Sequence, residues 1–142
     1  MENPVTVFIN SPGGEVNAGL IIYDVLQGTK LPINIICAGN ASSMAAIILA
    51  SGRKGHRYIL KHSKVMIHEP LIATGLGGSA SSIKNISDSI LETRSIVNGI
   101  LADHTGKTIE EINDATRYDN VMNAGEAVEF GICDTIVHSL SV

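Results

Sequence analysis

The chain has 142 residues, of which 44% are hydrophobic and 17% charged, so it can fill the core of one domain spanning 1–142 and is not disordered. Its net charge of -4 and the absence of any basic run argue against a nucleic-acid partner. The longest apolar run, 44–50, is too short to span a bilayer and no signal peptide opens the sequence, so we expect a cytoplasmic protein without a membrane partner.

Strand-like and helix-like segments alternate along the sequence. The predicted strands are 5–10, 33–39, 57–60, 64–68 and 133–138. The first two are apolar throughout, which predicts strands that are buried on both faces. The predicted helices are 15–28, 42–51, 80–103, one that opens at Thr108 and one that ends at Gly131. This alternation predicts an α/β fold with a parallel sheet, in which the nearly all-apolar helix 42–51 is buried on all sides.

Turn and cap signals separate these segments. Pro12-Gly13 in "SPGG" predicts a turn in which the glycine can take a positive φ. The Gly- and Ser-rich stretch 71–82 predicts a loop, and "TRYDNVMN" (116–123) predicts a polar break. Two capping boxes are predicted where the last two helices begin, at Thr108-x-x-Glu111 and Asn123-x-x-Glu126.

Patterns for metal, cofactor or disulfide chemistry are weak. Cys37 and Cys133 are far apart and outside any CxxC pair, which favours buried free thiols in a reduced cytoplasm over a disulfide. The five His residues are scattered, without an HExxH motif. The glycines of "SPGG" and "GLGG" fit neither GxGxxG nor a P-loop. We therefore expect no metal and no bound cofactor.

Nucleophilic catalysis fits the sequence better. Ser43, in "GNASSMAAIILASG", follows a strand at the start of a helix, where unpaired N–H groups and the helix dipole favour a developing oxyanion. His68 closes a strand and could serve as the base, and Asp119 is one of several acids that could orient it. The alternative is ordinary structure: Ser42 or Ser43 as helix caps, His68 as a strand end and Asp119 as a turn former.

Three longer stretches carry a resemblance to a known family. They are "FINSPGGEVNAGLIIYDVLQ", "GNASSMAAIILASGRKGHRYILKHSKVMIHEPL" and "AGEAVEFGICDTIV", in the order and spacing of the proteolytic subunit of the Clp protease (ClpP), and the likeness runs from Val5 to His138. The resemblance implies a crotonase-like α/β fold whose long helix, 80–103, protrudes as a handle. It also implies a serine peptidase of two stacked seven-membered rings, which hydrolyses unfolded proteins that a Clp-type ATPase feeds in. ATP is then used by that partner and not by this subunit.

The resemblance assigns the site residues one by one. The family's nucleophile lies in an "ASM" triplet, here Ser42-Ser43-Met44, which gives Ser43 and leaves Ser42 as a helix cap or neutral variant. The family's base lies in "MIHQP", here "MIHEP", which gives His68. The acid falls on Asp119 in "TRYDN". The N–H groups of Gly14 and Met44 would form the oxyanion hole.

The chain also departs from the family pattern. It lacks the family's N-terminal region, on which docking of the ATPase partly depends, and so resembles a shortened or divergent member. Tyr118 stands where the family has an Arg that takes part in ring-to-ring contacts, and Arg117 is the neighbouring candidate to replace it. Glu69 replaces the usual Gln and places a carboxylate beside the base, and Ala45 replaces a Gly.

Two other functions are compatible with this fold. A ring subunit that serves only as a scaffold would have lost catalytic groups, whereas Ser43, His68 and Asp119 are all present. An acyl-CoA enzyme of the wider crotonase superfamily would use a Glu acid/base, and "GNASSM" with "MIHEP" argues against it. We therefore predict a serine endopeptidase that acts as a homo-oligomer.

Overall fold

A computed structural model describes residues 3–71 and 78–141, in which strands and helices alternate as the sequence predicts. The strands are β1 (Val5–Ser11), β2 (Ile33–Ser42), β3 (Arg57–Leu60), β4 (Lys64–Ile67), β5 (Asn120–Asn123) and β6 (Thr135–Val137). The helices are α1 (Val16–Gly28), α2 (Met44–Ala50), α3 (Ala80–Thr105), α4 (Ile109–Thr116) and α5 (Ala124–Phe130). No helix within these described ranges is long and apolar enough to cross a membrane.

The strands form one sheet around β2. This strand pairs in parallel with β1, with β3 through its first half and with β4 through its last three residues, while β6 pairs in parallel with β3. The parallel prediction holds for all of these pairs. It fails for β5, which lies antiparallel to β4 within the stretch 116–123 that the sequence predicted as a polar break. Backbone pairing to β4 outweighs the weak strand propensity of this short, Asn-rich segment.

Burial follows the prediction for the centre of the molecule but not for its edge. Residues 34–37 of β2 are buried, as is α2 except for the partly buried Ile48. The burial predicted for 42–51 is confirmed for α2, and that predicted for 33–39 holds for its centre, whereas Gly39 is exposed. The prediction that β1 is buried on both faces was wrong, because Ile9 is its one buried residue and Phe8 is 53% exposed. Within the described residues β1 pairs only with β2, so this strand forms an edge of the sheet.

The long helix α3 packs on the domain near its carboxyl end. Its buried residues are Val97, Asn98 and Leu101, while its amino-terminal part carries several exposed apolar side chains, Ile83, Ile86, Leu91 and Ile96. This is the geometry expected of a protruding handle. The predicted loop 71–82 is replaced by helix from Ala80, and Ser79 caps that helix by accepting a hydrogen bond from the Ser82 N–H at 3.2 Å. Residues 72–77 of that loop lie outside the described ranges.

The two predicted capping boxes and the predicted end of the last helix at Gly131 are confirmed. Both capping boxes, headed by Thr108 and Asn123, make their reciprocal hydrogen bonds. Gly131 ends α5 with a φ of 100°, and a Cβ there would stand 2.9 Å from the Thr105 carbonyl oxygen, so glycine is required on both counts.

Arg57 of β3 is a buried charge, which its place in the predicted strand 57–60 does not indicate. Its side chain donates to Asp134 through Nε at 2.9 Å and through Nη2 at 2.7 Å. Burial would raise the pKa of Asp134, but the hydrogen bonds from Arg57 and from the Gly55 N–H outweigh it and lower that pKa. Nη1 donates to three main-chain carbonyls, those of Ala50, His104 and Gly131. The guanidinium therefore ties β3 to the carboxyl ends of α2, α3 and α5.

Candidate active site

Three neighbouring strands bring the predicted triad to one edge of the sheet. Ser43 directly follows β2 and His68 directly follows β4, in the register that places Ser42 beside Met66. Asp119 directly precedes β5, whose first residue Asn120 pairs with Ile67. Because adjacent strands lie about 4.8 Å apart, this register sets His68 between the other two residues. The order β5-β4-β2 thus matches the predicted order of acid, base and nucleophile.

Ser43 sits at the sharp turn from β2 into α2. Its φ of 58° and ψ of -125° make it the one non-glycine residue with positive φ in the described chain. Its N–H donates to the Met66 carbonyl at 2.9 Å, which anchors the turn to β4. Although Ser43 occupies the N-cap position of α2, its side chain makes no capping hydrogen bond. The hydroxyl is therefore available for chemistry.

Of the two roles predicted for Ser42, helix cap or neutral variant, the first was wrong, because Ser43 occupies the N-cap position of α2. Ser42 is the last residue of β2 and is 7% exposed. Its Oγ donates to Asn40 Oδ1 at 2.7 Å, so its hydroxyl is used within the strand. The two adjacent serines consequently differ in chemistry, because a strand alternates its side chains between two faces and the turn follows at Ser43.

The "SPGG" loop passes directly over this turn. Gly13 has a φ of 92°, which confirms the predicted glycine turn, and its N–H donates to Ser11 Oγ at 3.1 Å. A Cβ on Gly13 would stand 2.6 Å from the Ser42 carbonyl oxygen, so bare backbone is required here. Gly14 comes next in this loop, exposed and with free space around it. Met44 is the first residue of α2, where a helical N–H has no partner within its own helix.

His68 holds its ring against the main chain. Its Nδ1 lies 2.6 Å from the Glu69 carbonyl oxygen, which can only accept a hydrogen bond. We therefore assign the hydrogen to Nδ1 and the lone pair to Nε2, which is the tautomer that a general base needs. The Glu69 N–H in turn donates to the Thr116 carbonyl at 2.7 Å, at the end of α4.

The structure does not join the three side chains of the predicted triad. Within residues 3–71 and 78–141, no hydrogen bond connects Ser43 Oγ to His68 or His68 to Asp119. Asp119 is exposed, and so is the neighbouring Tyr118 at 80%. Arg117 points elsewhere, because it pairs with Asp114 at 3.1 Å. The catalytic roles of the three residues therefore stay a prediction.

A groove runs past this edge of the sheet. It has a volume of about 780 Å³ and lies between the loop at Gly14, the segment Pro70 and Leu71, and one face of α3. The lining from α3 is Asn85, Ile86, Ser89, Ile90 and Thr93. Polar and apolar side chains alternate along this wall. The groove begins two residues beyond His68, so a chain lying in it would pass the predicted base.

Among the described residues, no group of His, Cys, Asp and Glu side chains could hold a metal ion.

Comparison with protein families identifies one family that this chain matches. The model of the Clp protease family matches residues 1–139, nearly the whole sequence. The match includes the "SPGG" loop, the Ser43 turn, the "MIHEP" strand end and the handle helix, and it implies the crotonase-like fold that the architecture shows. The chain belongs to the Clp protease family, whose members are ClpP-type peptidases.

Proposed function

We propose that this chain is a serine endopeptidase that hydrolyses peptide bonds of unfolded proteins. The observation that carries the proposal is Ser43: a strained turn into a buried helix, with a hydroxyl that makes no capping bond. Strained φ and ψ values are concentrated at functional sites, where the surrounding structure holds them. The family match and the position of His68 directly after the neighbouring strand β4 support the same assignment.

In the proposed reaction His68 acts first as base and then as acid. Nε2 removes the Ser43 proton as the oxygen attacks the peptide carbonyl, and the imidazolium then protonates the leaving amine. Asp119 would hold Nδ1–H and stabilise the imidazolium. Water, activated by the same imidazole, attacks the ester carbonyl, and the Ser43 oxygen leaves with the proton that His68 returns.

The oxyanion would be held by backbone N–H groups from the two segments that meet at Ser43. Met44 supplies the first N–H of α2, where the helix dipole also favours negative charge. Gly14 follows the residue that packs on the Ser43 turn. One such donor is worth about 10²–10³ in rate, so the pair contributes substantially. The proposal assigns this chemistry to side chains and backbone alone, without a cofactor in this subunit.

We further propose that the chain works in a homo-oligomeric ring with a Clp-type ATPase as partner, in the cytoplasm. The exposed apolar residues of α1, Ile21, Ile22 and Val25, and those of the α3 handle support subunit contacts, since an isolated domain seldom exposes so much apolar surface. The two buried, unbridged cysteines are consistent with a reducing compartment.

The decisive experiment combines a serine-directed fluorophosphonate probe with a fluorogenic peptide, on material whose native mass has been measured. We expect one label per chain at Ser43, and a fall in kcat of at least ~10⁴-fold in Ser43→Ala. Ser42→Ala is the matched control and should label normally. Unchanged hydrolysis by Ser43→Ala would disprove the assignment.

A catalytically impaired ring subunit is the second candidate. It is favoured by one observation, that the described hydrogen bonds leave Ser43, His68 and Asp119 unconnected. The same probe separates the two candidates. An impaired subunit should assemble to the same native mass as a peptidase but leave Ser43 unlabelled.

A further inference from the structure

The parallel pairing of β1 with β2 is interrupted just before the predicted site. Ile9 pairs with Cys37, but the next pair along the two strands is Ser11 with Ala41. One residue of β1 thus stands opposite three residues of β2, 38–40. Such bulges are rare between parallel strands, and they are over-represented next to active sites, where they redirect the chain. The bulge in β2 is therefore placed where it can adjust the ends of both strands.

The bulge decides which parts of the two chain segments end side by side. If regular pairing continued instead, Gly13 would stand level with Ala41. Because a strand advances about 3.3 Å per residue, Gly13 would then lie about 7 Å short of Ser43. With the bulge, a Cβ on Gly13 would stand 2.8 Å from the Ser43 Cβ. The loop of the predicted oxyanion donor therefore reaches the predicted nucleophile because β2 carries two extra residues.

Asn10, the residue of β1 opposite the bulge, binds it through its side chain. Its Oδ1 accepts a hydrogen bond from the Asn40 N–H at 3.1 Å. The amide also lies against Gly39, where a Cβ would stand 2.6 Å from Oδ1 and the φ is 120°. A main-chain N–H at a bulge loses its regular partner, and an amide oxygen can replace it. The Asn10 side chain thus takes the place of the main-chain pairing that the bulge interrupts.

The other side of the bulge is held by Ser63, which precedes β4. The Gly39 N–H donates to Ser63 Oγ at 2.8 Å, and this hydroxyl donates to the Cys37 carbonyl at 3.2 Å. Ser63 is buried, whereas Asn10 is exposed. The buried anchor fixes the bulge to the core of the sheet, and the exposed anchor fixes it to β1.

We propose that Asn10 is a positioning residue for the predicted oxyanion hole. By holding the bulge of β2 against β1, it sets the distance between the loop of Gly14 and the turn of Ser43 and Met44. Asn10 acts through the bulge and not by contact with the reacting atoms. This inference rests on the proposed peptidase function and adds a residue of β1 that aligns its oxyanion donors.

The test compares Asn10→Leu with Asn10→Asp in the full chain. Leucine has a similar shape but cannot accept the hydrogen bond from Asn40, whereas aspartate keeps an acceptor. We expect Asn10→Leu to lower kcat and the rate of fluorophosphonate labelling of Ser43 about 10²-fold with KM unchanged, as for the loss of one oxyanion donor. Asn10→Asp should restore most of both rates. Thr6→Val, in the regular part of β1 where Thr6 pairs with Asn34, is the matched control and should change neither rate.

Hydrogen exchange at the Asn40 amide gives a measurement that does not depend on activity. We expect this exchange, followed by NMR, to be about ten-fold faster in Asn10→Leu than in the parent or in Asn10→Asp. The amide of Ile36, in the buried part of β2, reports any general loss of stability and should change less.

The outcomes separate this inference from the proposed function. Unchanged labelling in Asn10→Leu, an equal fall in Asn10→Asp, or unchanged exchange at Asn40 overturns the role of Asn10. Faster exchange at Asn40 in Asn10→Leu, with Ser43 unlabelled in every protein including the parent, overturns the peptidase function instead.

Discussion

A Cβ atom on Gly13 would stand 2.8 Å from the Cβ of Ser43 and 2.6 Å from the Ser42 carbonyl oxygen. The loop that carries the predicted oxyanion donor Gly14 therefore packs against the turn that carries the nucleophile. The two can approach this closely because Gly13 has no side chain and takes a φ of 92°. This contact fixes the spacing between the predicted nucleophile and the loop of the predicted oxyanion donor.

Gly13→Ala should damage both features together. The added methyl group forces the loop away from Ser43 and strains the backbone, so we expect a loss of about 1–3 kcal/mol in the free energy of unfolding and no labelling of Ser43. Urea denaturation and the fluorophosphonate probe measure these effects. Gly14→Ala is the matched control, because a Cβ there meets nothing within 4 Å and the N–H is kept. Equal damage from both variants would contradict the role of Gly13.

Ser42→Ala should separate stability from activity. The change removes the hydrogen bond from Ser42 Oγ to Asn40 and should cost about 1 kcal/mol in the free energy of unfolding. The rate of Ser43 labelling should stay within about two-fold of the parent, since Ser42 does not cap α2 and its hydroxyl is bonded to Asn40. A large fall in labelling with an unchanged urea midpoint would place Ser42 in the site and refute this separation.

Arg57→Lys should destabilise the fold strongly. Lysine cannot donate the two parallel hydrogen bonds that the guanidinium makes to Asp134, nor those to the three main-chain carbonyls. These buried acceptors would therefore lose their hydrogen bonds. We expect a loss of about 3–5 kcal/mol, measured by urea or thermal unfolding. Arg53→Gln, at an exposed position of the preceding turn, is the control and should change stability by less than about 0.5 kcal/mol. Similar midpoints for the two variants would refute the central role of Arg57.

The two cysteines predict the behaviour of the protein in alkali. Burial raises the pKa of Cys37 to about 11 and that of Cys133 to about 12, from an ordinary value of 9.0. The folded state thus binds thiol protons more tightly than the unfolded chain does. Their contribution to stability is complete below pH 9.0 and is lost as the pH rises through about 11 and then about 12.

Urea midpoints across this pH range check the prediction, and the variant Cys37→Ala/Cys133→Ala should show a shallower decline than the parent. Iodoacetamide should label neither thiol near neutral pH unless denaturant is present, because the thiolate is the reactive form. Rapid labelling of the folded protein, or identical pH profiles for parent and variant, would contradict the assigned burial.

The sequence predicted the elements that carry strong local signals. The apolar pattern of β2 and α2, the Gly13 turn and the two capping boxes follow from periodicity and from turn chemistry, which act over a few residues. The order of the strands depends on tertiary pairing, which local patterns do not reveal. β5 was missed because its Asn-rich sequence has weak strand propensity and becomes a strand only by pairing with β4. The exposure of Phe8 was missed for a similar reason. An apolar strand at the edge of a sheet has the same sequence pattern as one at its centre.

The site was predicted at the level of residues but not of contacts. The motifs around Ser43 and His68 placed both at strand ends, and the register of β2 with β4 brings those ends together. Nothing local indicates that His68 turns to the Glu69 carbonyl, or that Glu69 pairs with Arg94 some 25 residues away. Arg57 was likewise hidden, because its partners come from separate helix ends that meet only in the folded protein.

The unused cap at Ser43 implies that stability and the proposed catalysis conflict at a single position. A serine that caps its helix stabilises the fold by about 1 kcal/mol. The positive φ at a non-glycine residue costs about 1–3 kcal/mol in backbone strain. The turn at Ser43 accepts both penalties. Selection of random variants for heat resistance alone should therefore recover Ser43→Gly or Ser43→Asn, because both residues tolerate this φ. Each recovered protein would be more stable than the parent and inactive as a peptidase.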